Sequence, residues 1–153
     1  MPLDGIFLNR MKTELSKQIL NGRVDKIHQP AKETIVIAMR AQGGNHKLLI
    51  SASASNPRVH FTSLPQDNPK SPPMFCMLMR KHLTGAKLVD IRQIGLDRIL
   101  HLDFETVNDM GDRVTMTLAV EIMGRHSNII LIGPDRRIVD AIKRINDEMS
   151  RVR

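Results

Sequence analysis

Two adjacent residues of opposite charge, Asp97 and Arg98, stand at the head of a stretch in which apolar and polar residues alternate. Leu100, Leu102 and Phe104 share one parity and His101 and Asp103 the other, which is the period of a half-buried strand. Arg98 has the parity of the apolar set, so its guanidinium belongs at the mouth of a core and needs a carboxylate there, either Asp97 beside it or Glu121 across a hairpin. Oriented in this way, its fork of donors can meet a phosphate or a base edge; the same pairing can equally be a structural ion pair closing the end of a sheet. A second strand carries Val114, Met116, Leu118, Val120 and Ile122 on one face and Thr115, Thr117 and Glu121 on the other, with turn chemistry from Asn108 to Asp112 between the two. Antiparallel pairing then brings Glu121, Gly124, Arg125, His126, Ser127 and Asn128 to the same rim as Asp97 and Arg98. That cluster is either a binding site or a polar kink between strands.

Other residues offer less. If the initiator methionine is removed, Pro2 becomes a secondary amine able to attack an aldehyde carbon, but Leu3 follows it and supplies no acid. The six histidines are scattered without ligand spacing, so no metal and no cofactor is expected. Cys76 is the single cysteine and sits among apolar neighbours, which makes it a buried thiol and rules out an internal disulfide. No phosphate-binding glycine loop and no nucleophile elbow occurs, and the chain is expected not to be an enzyme.

The elements that position the rim follow from periodicity. Met1 to Leu20 places Phe7, Met11 and Leu15 on one stripe, with Leu8 and Ile19 beside them, and reads as an amphipathic helix. Asp4 stands at its N-cap, a capping role that competes with a functional one, and Asn21-Gly22 ends it. Val24 to Ile27, Thr34 to Ala41, Lys47 to Ala52 and Arg58 to Ser63 read as strands, separated by turns at 28–31, 42–45 and 53–57. A proline-rich connection leads to Ser71-Pro72-Pro73, read as an N-cap and first turn, and to a second helix, Met74 to Leu83, stopped by Gly85. Arg80, Lys81 and His82 emerge at its C-terminal end, where they complement the helix dipole or reach RNA. Ala86 to Ile94, the hairpin, Asn128 to Ile132 and Arg137 to Ile142 complete the strands. The expected fold class is α+β: a two-sheet antiparallel β-sandwich flanked by helices, with no internal repeat. The charged tail from Lys143 to Arg153 ends without a cap, as expected of a fragment of a longer protein.

Composition narrows the partners. The 23 Lys plus Arg against 16 Asp plus Glu leave a net charge of +7, which favours a polyanion such as nucleic acid. With no Trp or Tyr and four Phe, a stacking platform for single-stranded bases is not expected, so contacts to phosphate and folded shape should dominate. The N-terminus lacks a signal peptide's apolar run, and no stretch approaches the roughly 20 apolar residues of a membrane span, so the expected location is the cytoplasm, away from membranes.

Several motifs in order resemble the N-terminal domain of NFACT proteins along nearly the whole chain, 1–153. They are Asp4-Gly5, Lys26-Ile27-His28-Gln29-Pro30, Pro72-Pro73-Met74-Phe75-Cys76-Met77, Gly95-Leu96-Asp97-Arg98-Ile99 and Glu121-Ile122-Met123-Gly124-Arg125-His126-Ser127-Asn128. The resemblance implies a factor of ribosome-associated quality control. Such a factor binds the large ribosomal subunit carrying a stalled peptidyl-tRNA, recruits alanyl-tRNA, and supports template-free addition of C-terminal alanines to the nascent chain. It implies tRNA-binding roles for Asp97, Arg98 and Asp4, with further RNA or ribosome contacts from Arg80, Lys81, Glu121, Arg125, His126, Ser127 and Asn128. The implied fold is that of the N-terminal domain of formamidopyrimidine-type DNA glycosylases. Pro2 matches the nucleophile of those enzymes in position only, because Leu3 replaces the acidic residue that follows it. An older name for family members implies the alternative of a surface adhesin that binds fibronectin.

Overall fold

The computed structural model describes residues 5–41, 44–55, 57–63, 71–93, 98–122 and 126–143, with side chains from Arg10 onward. Helix α1 spans Gly5–Ile19 and buries Leu15 and Ile19, with Met11 packed at the margin, as the stripe requires. It ends where Asn21 takes φ 70°, a left-handed conformation that asparagine tolerates better than most residues. Gly22 follows with no room to spare. A Cβ there would stand 2.8 Å from Ala41 Cβ and 2.9 Å from the Ile19 carbonyl oxygen.

Strands β1 (Arg23–Ala31), β2 (Thr34–Ala41), β3 (Gly44–Ser51) and β4 (Arg58–Thr62) form the first antiparallel meander. The turn expected at residues 28–31 is instead strand. β1 runs through Pro30, and the ladder to β2 is irregular between His28 and Ala31, so the residue that cannot donate falls in a bulge. Helix α2 spans Met74–Leu83 and buries Phe75, Cys76, Met79 and Leu83. Its N-cap is Pro73, without a side-chain cap, which leaves Ser71 two residues outside the helix and not at the cap expected of it. Gly85, at φ 82°, provides the left-handed stop.

Strands β5 (Lys87–Gln93), β6 (Ile99–Val107), β7 (Arg113–Glu121), β8 (Asn128–Ile132) and β9 (Ile138–Ala141) form the second meander. The β6–β7 hairpin closes through Asn108, whose Oδ1 accepts from the backbone N–H groups of Met110 and Asp112, both at 2.9 Å.

Two separate sheets were expected, but the strands form one nine-stranded sheet in the order β4-β3-β2-β1-β5-β6-β7-β8-β9. The meanders join through a narrow seam. Asn21 N–H donates to Leu88 O and Leu88 N–H to Gly22 O; Gly85 N–H donates to Val24 O and Val24 N–H to Ala86 O. Exchanging Asn21 with Gly85, Gly22 with Ala86 and Val24 with Leu88 turns the first pair of bonds into the second. The register pair Arg23↔Lys87 lies at the centre of this exchange. The bulges obey it too, since β1 slips register between Val24 and Lys26 and β5 between Leu88 and Asp90. The fold is therefore two helix-and-meander units joined edge to edge.

Both units share a core. Ile35, Ile37, Leu48 and Ile50 of the first belong to one apolar cluster with Leu100, Leu102, Phe104 and Leu118 of the second. α2 lies against β1, β6 and β9, so it touches both units, while α1 packs on β2 and β5. At roughly 25 cal/mol for each Å² of apolar surface removed from water, this shared burial and not the seam's few hydrogen bonds holds the units together.

Candidate functional site

The rim lies where β6 begins and β7 ends. Arg98 is half-buried just before β6, and its carbonyl accepts the backbone N–H of Ile122 at 2.8 Å, which extends the hairpin pairing beyond the strand. Next along, Ile99 pairs with Glu121, and Glu121 pairs in turn with Asn128 of β8. The structure thus brings Arg98, Glu121 and Asn128 to one end of the sheet, as the alternation anticipated. Arg98 is not sealed in the interior. Asp97, Asp4, Gly124, Arg125 and Pro2 lie outside the described residues.

The other rim residues differ sharply in exposure. Glu121, Ser127 and Asn128 are buried, whereas His126 is exposed. Asn128 is engaged in structure: its Oδ1 accepts from the backbone N–H groups of Ile129 at 2.9 Å and Lys143 at 3.1 Å, and its Nδ2 donates to Lys143 O at 3.2 Å. It clamps the strand end that follows β9 onto the rim. Contact with a large ligand at this end can come directly from Arg98 and His126, while Ser127 is buried and Asn128 holds the backbone behind them.

The basic trio of α2 divides in the same way. Arg80 turns back on the sheet, its Nε donating to Ile27 O at 2.8 Å and its Nη2 standing 3.4 Å from His28 Nδ1. Burial, reinforced by Arg80, holds the His28 imidazole below its ordinary range. Lys81 is exposed. His82 is also held low, first by burial and then by Lys81. The Cys76 thiol is buried 3.7 Å from Ile27 O, and burial pushes its pKa up, so it is an unreactive core group.

On the opposite face of β5, β6 and β7 the structure assembles a network that sequence reasoning did not single out. Arg92 grips Asp103 with two hydrogen bonds, at 2.8 and 3.1 Å, and Thr117 Oγ1 adds a third at 2.7 Å. The signal was present in the outward parity of His101, Asp103 and Thr117; what the chain alone did not show is that β5 lies beside β6 and delivers Arg92. Among the described residues, no three His, Cys, Asp or Glu side chains gather in a way that could hold a metal ion, and no helix is long and apolar enough to cross a membrane.

Comparison with known proteins agrees with this architecture. Residues 4–153 match the family model described as the NFACT N-terminal and middle domains. The chain is 46% identical to the Rqc2 homolog RqcH of Bacillus subtilis, over all of this chain and 27% of that protein. It is 28% identical to the human ribosome quality control complex subunit NEMF, over 97% of this chain and 13% of that one. The N-terminal structure of the fibronectin/fibrinogen-binding protein of Streptococcus suis superposes with a TM-score of 0.92 at 42% identity, covering 97% of this chain and 56% of that one. The chain thus spans about a quarter of the length of the bacterial relatives it matches.

Proposed function

The chain is a member of the NFACT family, and from that membership we propose that it is the tRNA- and ribosome-binding part of a ribosome-associated quality control factor. In this reading it binds a large ribosomal subunit that retains peptidyl-tRNA and recruits alanyl-tRNA, and the extension of the nascent chain by alanines proceeds without bond-making by the domain itself. The relatives named for Rqc2 and for the ribosome quality control complex support the process. The observation that carries the residue assignment is the placement of Arg98, half-buried at the sheet rim with its backbone anchored to Ile122. An arginine whose backbone is anchored at a strand end carries its fork of donors at a set place on the rim, which suits bidentate contact with phosphate or a base edge. Asp97, adjacent in sequence, would orient it. Asp4, Lys81, Arg125 and His126 would add contacts, and the net charge of +7 would steer the approach of RNA.

The test is tRNA co-purification with the full-length protein that contains this domain. Asp97→Ala and Arg98→Ala should each lose tRNA while melting at the parent temperature. Parent levels of tRNA on both variants would overturn the assignment. Fibronectin binding is favoured by the names of streptococcal structural relatives and by no feature of the site. Cell fractionation separates the two readings, because adhesion needs a wall-associated pool.

A further inference from the structure

The face of β5–β7 turned away from the main core carries donors that the rim does not use. Arg92 Nε and Nη2 are committed to Asp103, which already accepts three hydrogen bonds, and Nη1 takes no part in them. Arg92 Nη2 also lies 3.5 Å from His101 Nδ1. A guanidinium can only donate, so this contact makes Nδ1 the acceptor and leaves the ring proton on Nε2. These side chains line an open cleft of about 400 Å³ whose far wall is the β8–β9 turn, with Gly133, Pro134 and Arg136.

The turn itself is unusual in one respect. It closes through Gly133 N–H to Arg137 O at 2.9 Å and Arg136 N–H to Gly133 O at 3.0 Å, and within it Arg136 adopts φ 69°. Glycine holds that conformation without strain and arginine does not. What arginine adds over glycine is a second guanidinium on the wall of the cleft. The one carboxylate lining the cleft among the described residues, Asp103, is occupied by Arg92 and Thr117.

We propose that this cleft is an oxyanion site for a phosphate group, with Arg92, Arg136 and His101 as donors. The ligand chemistry is a tetrahedral phosphate oxygen set, supplied either by free phosphate or by the phosphodiester of a nucleic-acid strand. Burial and then Arg92 hold the His101 imidazole below its ordinary range, and with Nδ1 accepting from Arg92 the ring donates through Nε2–H. The site is separate from the Asp97–Arg98 rim and does not rest on that reading.

The test titrates the 153-residue chain with inorganic phosphate and, in parallel, with a short single-stranded RNA lacking terminal phosphates, following the NMR signals of His101 and Thr117. At least one titration should saturate. Saturation by phosphate alone assigns a free or terminal phosphate, and tighter saturation by the RNA assigns a backbone phosphodiester. Arg136→Gly should weaken that binding about ten-fold or more, the loss of one charge-assisted hydrogen bond, while its melting temperature stays level or rises because the strain is relieved. Arg113→Ala, at an exposed arginine outside the cleft, should bind as the parent does. No saturation by either probe, or equal weakening in Arg113→Ala and Arg136→Gly, would overturn the proposal.

Discussion

His28, His82 and His101 share one electrostatic condition: burial comes first in holding each imidazole below its ordinary value of 6.5, and a neighbouring cation adds to it. The unfolded chain therefore binds more protons than the folded one once the pH falls below that value, so stability is full above the ordinary imidazole range and is lost as the pH drops through it. The urea midpoint should be lower at about pH 5.5 than at about pH 7.5, a window above the carboxylate range. His101→Gln should narrow the difference, and equal midpoints at both pH values would refute the account. Much at this scale was legible in the chain. The alternation that placed Leu100, Leu102 and Phe104 inside holds at each of the three, and Cys76 is buried as its apolar neighbours implied. Glu121 and Asn128 were expected at the rim and are there, but their burial was hidden, because residue type reports polarity while burial depends on which backbone comes to cover the side chain. The bond from Arg80 to Ile27 O was hidden for the same reason, since it joins a helix end to a strand far away in sequence.

Helix ends and strand starts are the most economical parts of the chain. α1 passes into β1 through Asn21 and Gly22, and α2 into β5 through Gly85 and Ala86. Both junctions use a left-handed residue followed by a small buried one, yet the positions are not equivalent in space: Ala86 is accommodated, whereas a Cβ at Gly22 would press on Ala41 and two carbonyl oxygens. Gly22→Ala should cost about 1–3 kcal/mol, the usual scale of overpacking against backbone. Chemical denaturation measures it, and an unchanged midpoint would show that the β1–β2 ladder gives way freely. Period and turn chemistry sufficed to locate the described helices and strands. They failed where a competing rule won, as when a bulge carried β1 through Pro30, or when two prolines separated Ser71 from the helix it was expected to cap.

The whole molecule held the largest surprise. Alternation shows which face of a strand is wet, but it is silent on which strand lies beside it, so a sandwich of two sheets was expected where one nine-stranded sheet forms. Which edges meet is set by backbone hydrogen bonds between segments remote in the chain, and backbone groups leave no mark in composition. The correspondence between the units is equally invisible in the residues, because Asn21 answers Gly85 and Gly22 answers Ala86 by conformation and not by identity.

A joining edge that maps onto itself under exchange need not find its mate in the same molecule. The first unit of one chain can dock on the second unit of another and rebuild the same bonds and the same core, giving a reciprocal, domain-swapped dimer. Which closure wins is a matter of concentration during refolding. Light scattering after refolding from denaturant should show dimer increasing with protein concentration and persisting on dilution. Monomer alone at every concentration would mean that the link between β4 and α2 forbids the crossing.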